Sequence, residues 1–180
     1  MSRPKLAVIR NAVEEHWLKT HSTTGVDARH DAVFGITFYS IQVLDELMGI
    51  GVGTGILGRL GLRTILESHI SLRYLLVKDT PTLWSKWRTY GAGQAKLNAL
   101  RFDEIMEPPK HMDIETLEAI AGEDLWEEFL NIELGSWSGS DLRKLSEAAG
   151  IKDAYDSHYS WTSGYSHGVW GPIRESCFET

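Results

Sequence analysis

Apolar residues recur along this chain at the three- and four-residue steps of an α-helix, and no stretch alternates at the two-residue step of a strand. Leu6, Ile9, Val13 and Trp17 line one face of residues 4 to about 19, with Arg10 and Glu14 beside them. Residues 21–25 read as a loop. A second run, residues 27 to about 48, repeats Val33, Ile36, Tyr39, Val43 and Leu47. The glycine-rich residues 49–55 then break the chain before its most apolar segment, residues 56–77, where Leu60, Ile65, Leu66, Leu72 and Leu76 fall. Asp79-Thr80-Pro81 ends that segment and starts the next, with Thr80 as N-cap and Pro81 in the first turn.

The helix that follows is expected to run to about residue 106, carrying Trp84, Trp87, Tyr90, Leu97 and Leu100, and to stop at Pro108-Pro109. Residues 113–134 form an acidic amphipathic segment interrupted at Gly122. A serine-rich turn, residues 136–140, precedes a short helix, residues 142–149, capped by Ser140 or Asp141 and closed by Gly150. Residues 153–167 make the last helix, ended by Gly168, Gly171 and Pro172. The pattern predicts an all-α fold: a single-domain helical bundle of about six to eight helices over residues 1–180.

Composition narrows the setting. A length of 180 residues suits one domain with a real core. The net charge of −7 opposes broad binding to a phosphate backbone, although Arg59, Arg63 and Arg73 lie close enough for a local basic patch. The single cysteine, Cys177, rules out an internal disulfide and fits a reducing compartment. Charges interrupt the N-terminal apolar residues, so no signal-peptide core is expected. The longest uncharged stretch, residues 47–58, is short of the ~20 residues that span a bilayer. The expectation is a cytoplasmic protein without a membrane segment.

The most distinctive chemistry lies near the C-terminus. Tyr155, Tyr159, Ser163 and His167 recur every fourth residue, which stacks them along one helix. Phenols, a hydroxyl and an imidazole need partners when buried. Arg59, Arg63 and Glu67 form a second i, i+4 series in the most apolar helix, where a buried charge demands pairing. The two series are expected to meet as a two-helix polar seam, with Ser163 and His167 facing Arg63 and Glu67. As a catalytic site it would use His167 as acid or base and Arg63 to stabilise an anion, with Glu67, Tyr159 and Ser163 converging. As a structural device it would fix helix register.

Other motifs are weaker. Gly53-Thr54-Gly55-Ile56-Leu57-Gly58 has the GxGxxG form but lacks a preceding strand and a suitable acid about twenty residues on, so close helix approach explains it better. No HExxH, paired cysteines or nucleophile elbow occurs, so neither a metal nor a cofactor is expected. Arg10 to His16 and Arg63 to His69 share a spacing similar to the Arg–His motif of HEPN ribonucleases, a spacing short and common enough to arise by chance.

Three segments together resemble a prokaryotic helical family catalogued as domain of unknown function five-six-seven-seven. They are Arg63 to Glu67 running into Ile70-Ser71-Leu72-Arg73-Tyr74, the segment from Trp137 through Leu145, and the Tyr155/Tyr159/Ser163/His167 ladder followed by Gly168. The resemblance covers about residues 40–170. It implies an all-helical cytoplasmic protein, some relatives being associated with phage defence, and it supplies no reaction. His69 stands where that family has a small or apolar residue, which weakens the Arg63–His69 pairing.

Two functions fit these residues. One is a helical module that binds a protein partner, a small ligand or a second copy, with Tyr155, Arg59 and Trp137 at the ligand or interface and the many tryptophans as contact surface. The other is an HEPN-like ribonuclease or nucleotide-processing enzyme built on Arg63, Glu67, Tyr159, Ser163 and His167. Base rates for polar helix stripes favour the first, and the net charge gives RNA no support.

Overall fold

Every regular element in the computed structural model is helical among the described residues, which are 2–20, 26–51, 55–105, 113–122 and 136–178. The all-α expectation holds, with eight helices among those residues when the ladder helix is counted as one. Expectations for residues 21–25, Gly53, Pro108-Pro109 and residues 123–134 lie outside the described residues.

The chain divides into two compact units, residues 1–79 with 142–180, and residues 80–141. In the first unit, α1 (Arg3–Thr20) packs on α2 (Ala28–Ile50), and α2 on α3 (Ile56–Lys78). Asp27 caps α2 by accepting the His30 N–H at 3.0 Å. Gly51 closes it in the left-handed conformation, φ 72°. Gly61 sets the approach of α2 to α3. A Cβ there would lie 2.2 Å from Leu47 Cδ1, so any larger residue would have to push the Leu47 side chain aside. Asp79 ends α3 at φ 37°, a left-handed position that a short polar side chain tolerates, and Arg29 Nε reaches its carboxylate at 2.9 Å.

Helix α3 is the hub of this unit. It touches α2, α6 (Leu142–Ala148) and the C-terminal ladder helix, and it buries Leu66, Ile70 and Leu75. Ile36, Ile41 and Leu145 complete the apolar core around it. The face expected on α2 is partly displaced: Ile36 is buried, but Tyr39 is 54% exposed, because Ala32 and Ile41 rather than Tyr39 meet the neighbouring helices. By length and composition alone α2 also meets the measure of a membrane span, at mean hydropathy 1.3 with 17% of that window buried.

The C-terminal helix begins as α7 (Lys152–Ala154), loosens into a π-turn (Tyr155–Tyr159) and tightens again as α8 (Ser160–Ser166). Gly168, at φ 58°, ends it. Gly171 and Pro172 do not terminate the chain's helices as expected. They lie in the first turn of α9 (Trp170–Cys177), where backbone N–H groups have no intrahelical acceptor and proline loses nothing. Gly164 admits α9 against α8, since a Cβ there would meet Pro172 Cγ at 2.9 Å.

The second unit holds α4 (Pro81–Asp103) and α5 (Ile114–Gly122), packed on each other. Pro81 takes the first helical position, while Thr80 sits at the N-cap without a side-chain capping bond. Trp84, Ala92 and Ala95 are buried. The turn at residues 136–140 is tied by its own serines, with Ser138 Oγ accepting from Ser140 N at 3.2 Å and donating to the Ser140 carbonyl at 2.9 Å.

Candidate functional site

The two polar series meet. Arg63 lies on α3 with its side chain 18% exposed, and its guanidinium donates to four side chains. Nε reaches Glu67 Oε1 at 2.9 Å, one helical turn on. Nη1 donates to Ser163 Oγ at 2.8 Å and to Ser166 Oγ at 2.6 Å. Nη2 donates to the Tyr159 hydroxyl at 2.9 Å. The guanidinium carbon is also 4.8 Å from the Tyr159 ring centroid, and Tyr155 stacks on the far side of the seam, 4.8 Å from Tyr159 at 22°. Four of the five N–H groups of a guanidinium point in fixed directions that match these oxygens.

Burial and charge act together on Tyr159. Removal from water raises its pKa, the Glu67 carboxylate raises it further, and the Arg63 cation opposes both without reversing them. The folded protein therefore keeps this phenolic proton at a pH where the unfolded chain loses it. That contribution is fully present below the ordinary tyrosine pKa of about 10 and disappears as pH rises through the higher folded value. The unfolding free energy is accordingly expected to fall with pH above about 10. In Tyr159→Phe the alkaline fall should be shallower, which a series of urea titrations against pH measures.

The π-turn sets Tyr155 in position relative to the residues that face Arg63. Its wider spiral brings Tyr155 and Tyr159 into register, and the hydroxyl of the buried Thr162 donates to the His158 carbonyl at 2.8 Å where the regular ladder changes. Ser163 and Ser166 then both reach Arg63, although only Ser163 was legible as a member of the four-residue series. His167 does not join them. It is exposed, occupies the C-cap of α8, and makes no side-chain hydrogen bond among the described residues.

Arg59 builds a second layer one turn before Arg63. Its guanidinium carbon lies 4.9 Å from the Trp161 ring and 4.7 Å from the Tyr165 ring. Its Nη2 donates to Glu175 Oε1, and the Tyr165 hydroxyl donates to Glu175 Oε2. Tyr165 is raised in pKa by burial, then by its bond to the Glu175 carboxylate. Glu175 carries no signal in the sequence, because it lies beyond Gly168, Gly171 and Pro172, where the last helix is expected to end. Trp137 lies half-buried in the other unit, within the serine turn.

Away from the seam, Arg10 donates to Gln42 at 2.8 Å, and His16 lies against the Phe34 ring at 5.7 Å, so this Arg–His pair serves α1–α2 contacts. Among the described residues no three His, Cys, Asp or Glu side chains converge as metal ligands.

A family model described as a family of unknown function (DUF5677) matches residues 37–179. No curated protein and no solved structure matches the chain.

Proposed function

The chain belongs to this family of unknown function, and on that premise we propose that it is a helical interaction module that pairs with a second copy of itself through the outward face of α9. One observation carries the reading: α9 is seated with its charged side inward. Glu175 points to Arg59 and Tyr165, while Trp170, Ile173 and Phe178 stand outward at 64%, 39% and 55% exposure. An amphipathic helix in a monomer turns its apolar stripe to the core. Here Trp170 and Ile173 share one exposed face, and the Trp170 and Phe178 rings meet at a tilt of 53°, 5.8 Å apart.

The occupant follows from size and symmetry. A tryptophan or phenylalanine carries roughly 150–250 Å² of surface, so two such rings more than half exposed leave a patch of the scale that marks an association site. Val169, also about half exposed, adjoins it, so the apolar patch supplies part of the ~800 Å² that each side of a standard interface contributes, and the polar surface around it supplies the rest. A single apolar patch that meets its own copy gives a closed two-fold pair, the commonest assembly.

Arg63 supports this reading over a catalytic one, because its donors already hold four protein oxygens and His167 stands outside the seam. We place the module in the cytoplasm, and in a prokaryotic defence or toxin-like setting, on the family resemblance alone. Sedimentation velocity of the full chain across a concentration series is expected to reveal a dimer, and Trp170→Glu to convert it to monomer with unchanged helicity. A wild-type protein that stays monomeric throughout rejects self-pairing. A dimer that Trp170→Glu leaves intact rejects α9 as its interface.

A further inference from the structure

We infer that α1 is a strap laid over the aromatic stripe of α2, one that lifts as a unit while α2 and α3 stay packed, with the Arg3–Asp45 pair as its salt-sensitive latch. The strap does not involve α9 and holds whether or not two copies pair. Helix α1 runs antiparallel to α2, and its contacts change character along its length. At one end Arg3 Nε and Nη2 donate to the two carboxylate oxygens of Asp45 at 3.1 and 3.2 Å. The guanidinium lies close over Gly49, where a Cβ would come within 3.3 Å of Nη2. Further along, Arg10 Nη2 donates to Gln42 Oε1 at 2.8 Å. At the other end rings take over: Trp17 meets Phe38 edge-on at 84°, and His16 lies against Phe34. Phe34 and Phe38 stand one turn apart on α2, their centroids 6.3 Å from each other, and form the stripe beneath the strap.

Burial shows how lightly the strap is seated. Of the 18 residues of α1 only Leu6 is buried, while Val8 and Leu18 stand 69% and 62% exposed. An element that buries so little apolar surface opens at a low free-energy cost, whatever bonds its edges make. Helix α2 has a seat of its own. Its contact with α3 is the more extensive of the two, and Leu47 lies directly over Gly61. The family model divides the chain in the same place, since it starts at residue 37, within α2 and beyond α1. The latch is the part that solvent reaches. The Arg3 and Asp45 side chains are 55% and 30% exposed, so dissolved salt screens their attraction, whereas the ring contacts and the Leu6 seat are not weakened by it. Ionic strength thus sets how often Phe34 and Phe38 are uncovered, on a helix whose mean hydropathy is 1.3.

Hydrogen exchange of the full chain, followed peptide by peptide at a pH where reclosing outpaces chemical exchange, tests the strap. The amides of residues 7–19 are expected to share one opening equilibrium and to exchange about ten-fold or more faster than those of residues 66–75 on α3. Raising NaCl from about 0.01 M to about 1 M shortens the Debye length from about 30 Å to about 3 Å, and is expected to speed α1 about 2–5-fold relative to residues 66–75. In Asp45→Asn the α1 amides are expected to start at that faster rate, and salt to add little. Glu15→Gln breaks an ion pair within α1 rather than across to α2, and is expected to keep the wild-type salt response. Equal protection in α1 and α3 would mean that α1 opens only with the whole unit, and would overturn the strap. Protection that climbs steadily inward from Arg3 would also overturn it, as the signature of end fraying. A salt response as large in Asp45→Asn as in wild type, or one lost in Glu15→Gln, would overturn the latch.

Discussion

Arg63→Ala is expected to destabilise the protein by about 3–5 kcal/mol, the cost of removing one partner from a largely buried ionic network. The loss is not confined to the cation. Glu67, Tyr159, Ser163 and Ser166 would each give up a donor at 2.6–2.9 Å, and three of them sit on the helix that Arg63 ties to α3. In a chain of this size each kcal/mol corresponds to about 2–4 °C, so Tm should fall by about 6–20 °C. Arg63→Lys keeps the charge but offers no planar fork, and it is expected to recover under half of the difference. His167→Ala should change stability by no more than about 0.5 kcal/mol, as for an exposed residue with no side-chain hydrogen bond among the described residues. Urea titrations of the three variants measure the contrast. An Arg63→Ala protein within about 1 kcal/mol of wild type would refute the seam as a structural lock.

Ile70→Ala is expected to cost about 2–5 kcal/mol by a different route. Ile70 is fully buried on α3, two helical turns beyond Arg63, and its removal deletes apolar contacts without touching any hydrogen bond. The change should appear as a lower urea midpoint with an unchanged m-value, since the surface exposed on unfolding is almost the same. Its effect should also be insensitive to pH, whereas that of Tyr159→Phe changes above pH about 10. A substantial fall in m-value would mean that the native state itself has loosened. The double variant Arg63→Ala/Ile70→Ala probes how far the polar seam and the apolar core share one helix as support. A shortfall from additivity of more than about 0.5 kcal/mol would place them in one cooperative structure.

Much of this arrangement was legible in the residues themselves. The three- and four-step apolar pattern gave the helices because burying one stripe leaves little other choice. Arg63 and Glu67 announced their pairing, because unpaired charges do not persist in so apolar a segment. What the spacing hid is angular. On a regular α-helix each residue turns by about 100°, so the eight residues from Tyr159 to His167 leave the two about 80° apart. The seven residues from Tyr159 to Ser166 leave about 20°. An every-fourth-residue series drifts off its face, and the residue three beyond Ser163 replaces the one four beyond it. Glu175 was illegible for another reason. Gly171 and Pro172 resemble a stop signal, and only the position of Pro172 in a first turn lets a helix follow. The close approach at Gly61 likewise has no signature beyond a glycine in a helix.

The π-turn at Tyr155–Tyr159 has a consequence for descent and for editing. Such a turn is what one surplus residue makes of an ordinary helix, and the chain has settled its side-chain register around that surplus. Excising a single residue from the turn would wind the segment back into a uniform α-helix. Everything before it, from Lys152 back towards α6, would then swing by about 100° relative to α8. Either the Tyr155 stack or the attachment of α6 to α3 would be lost. A relative one residue shorter here would keep Ser163 and Ser166 on its arginine only by giving up either that stack or that attachment.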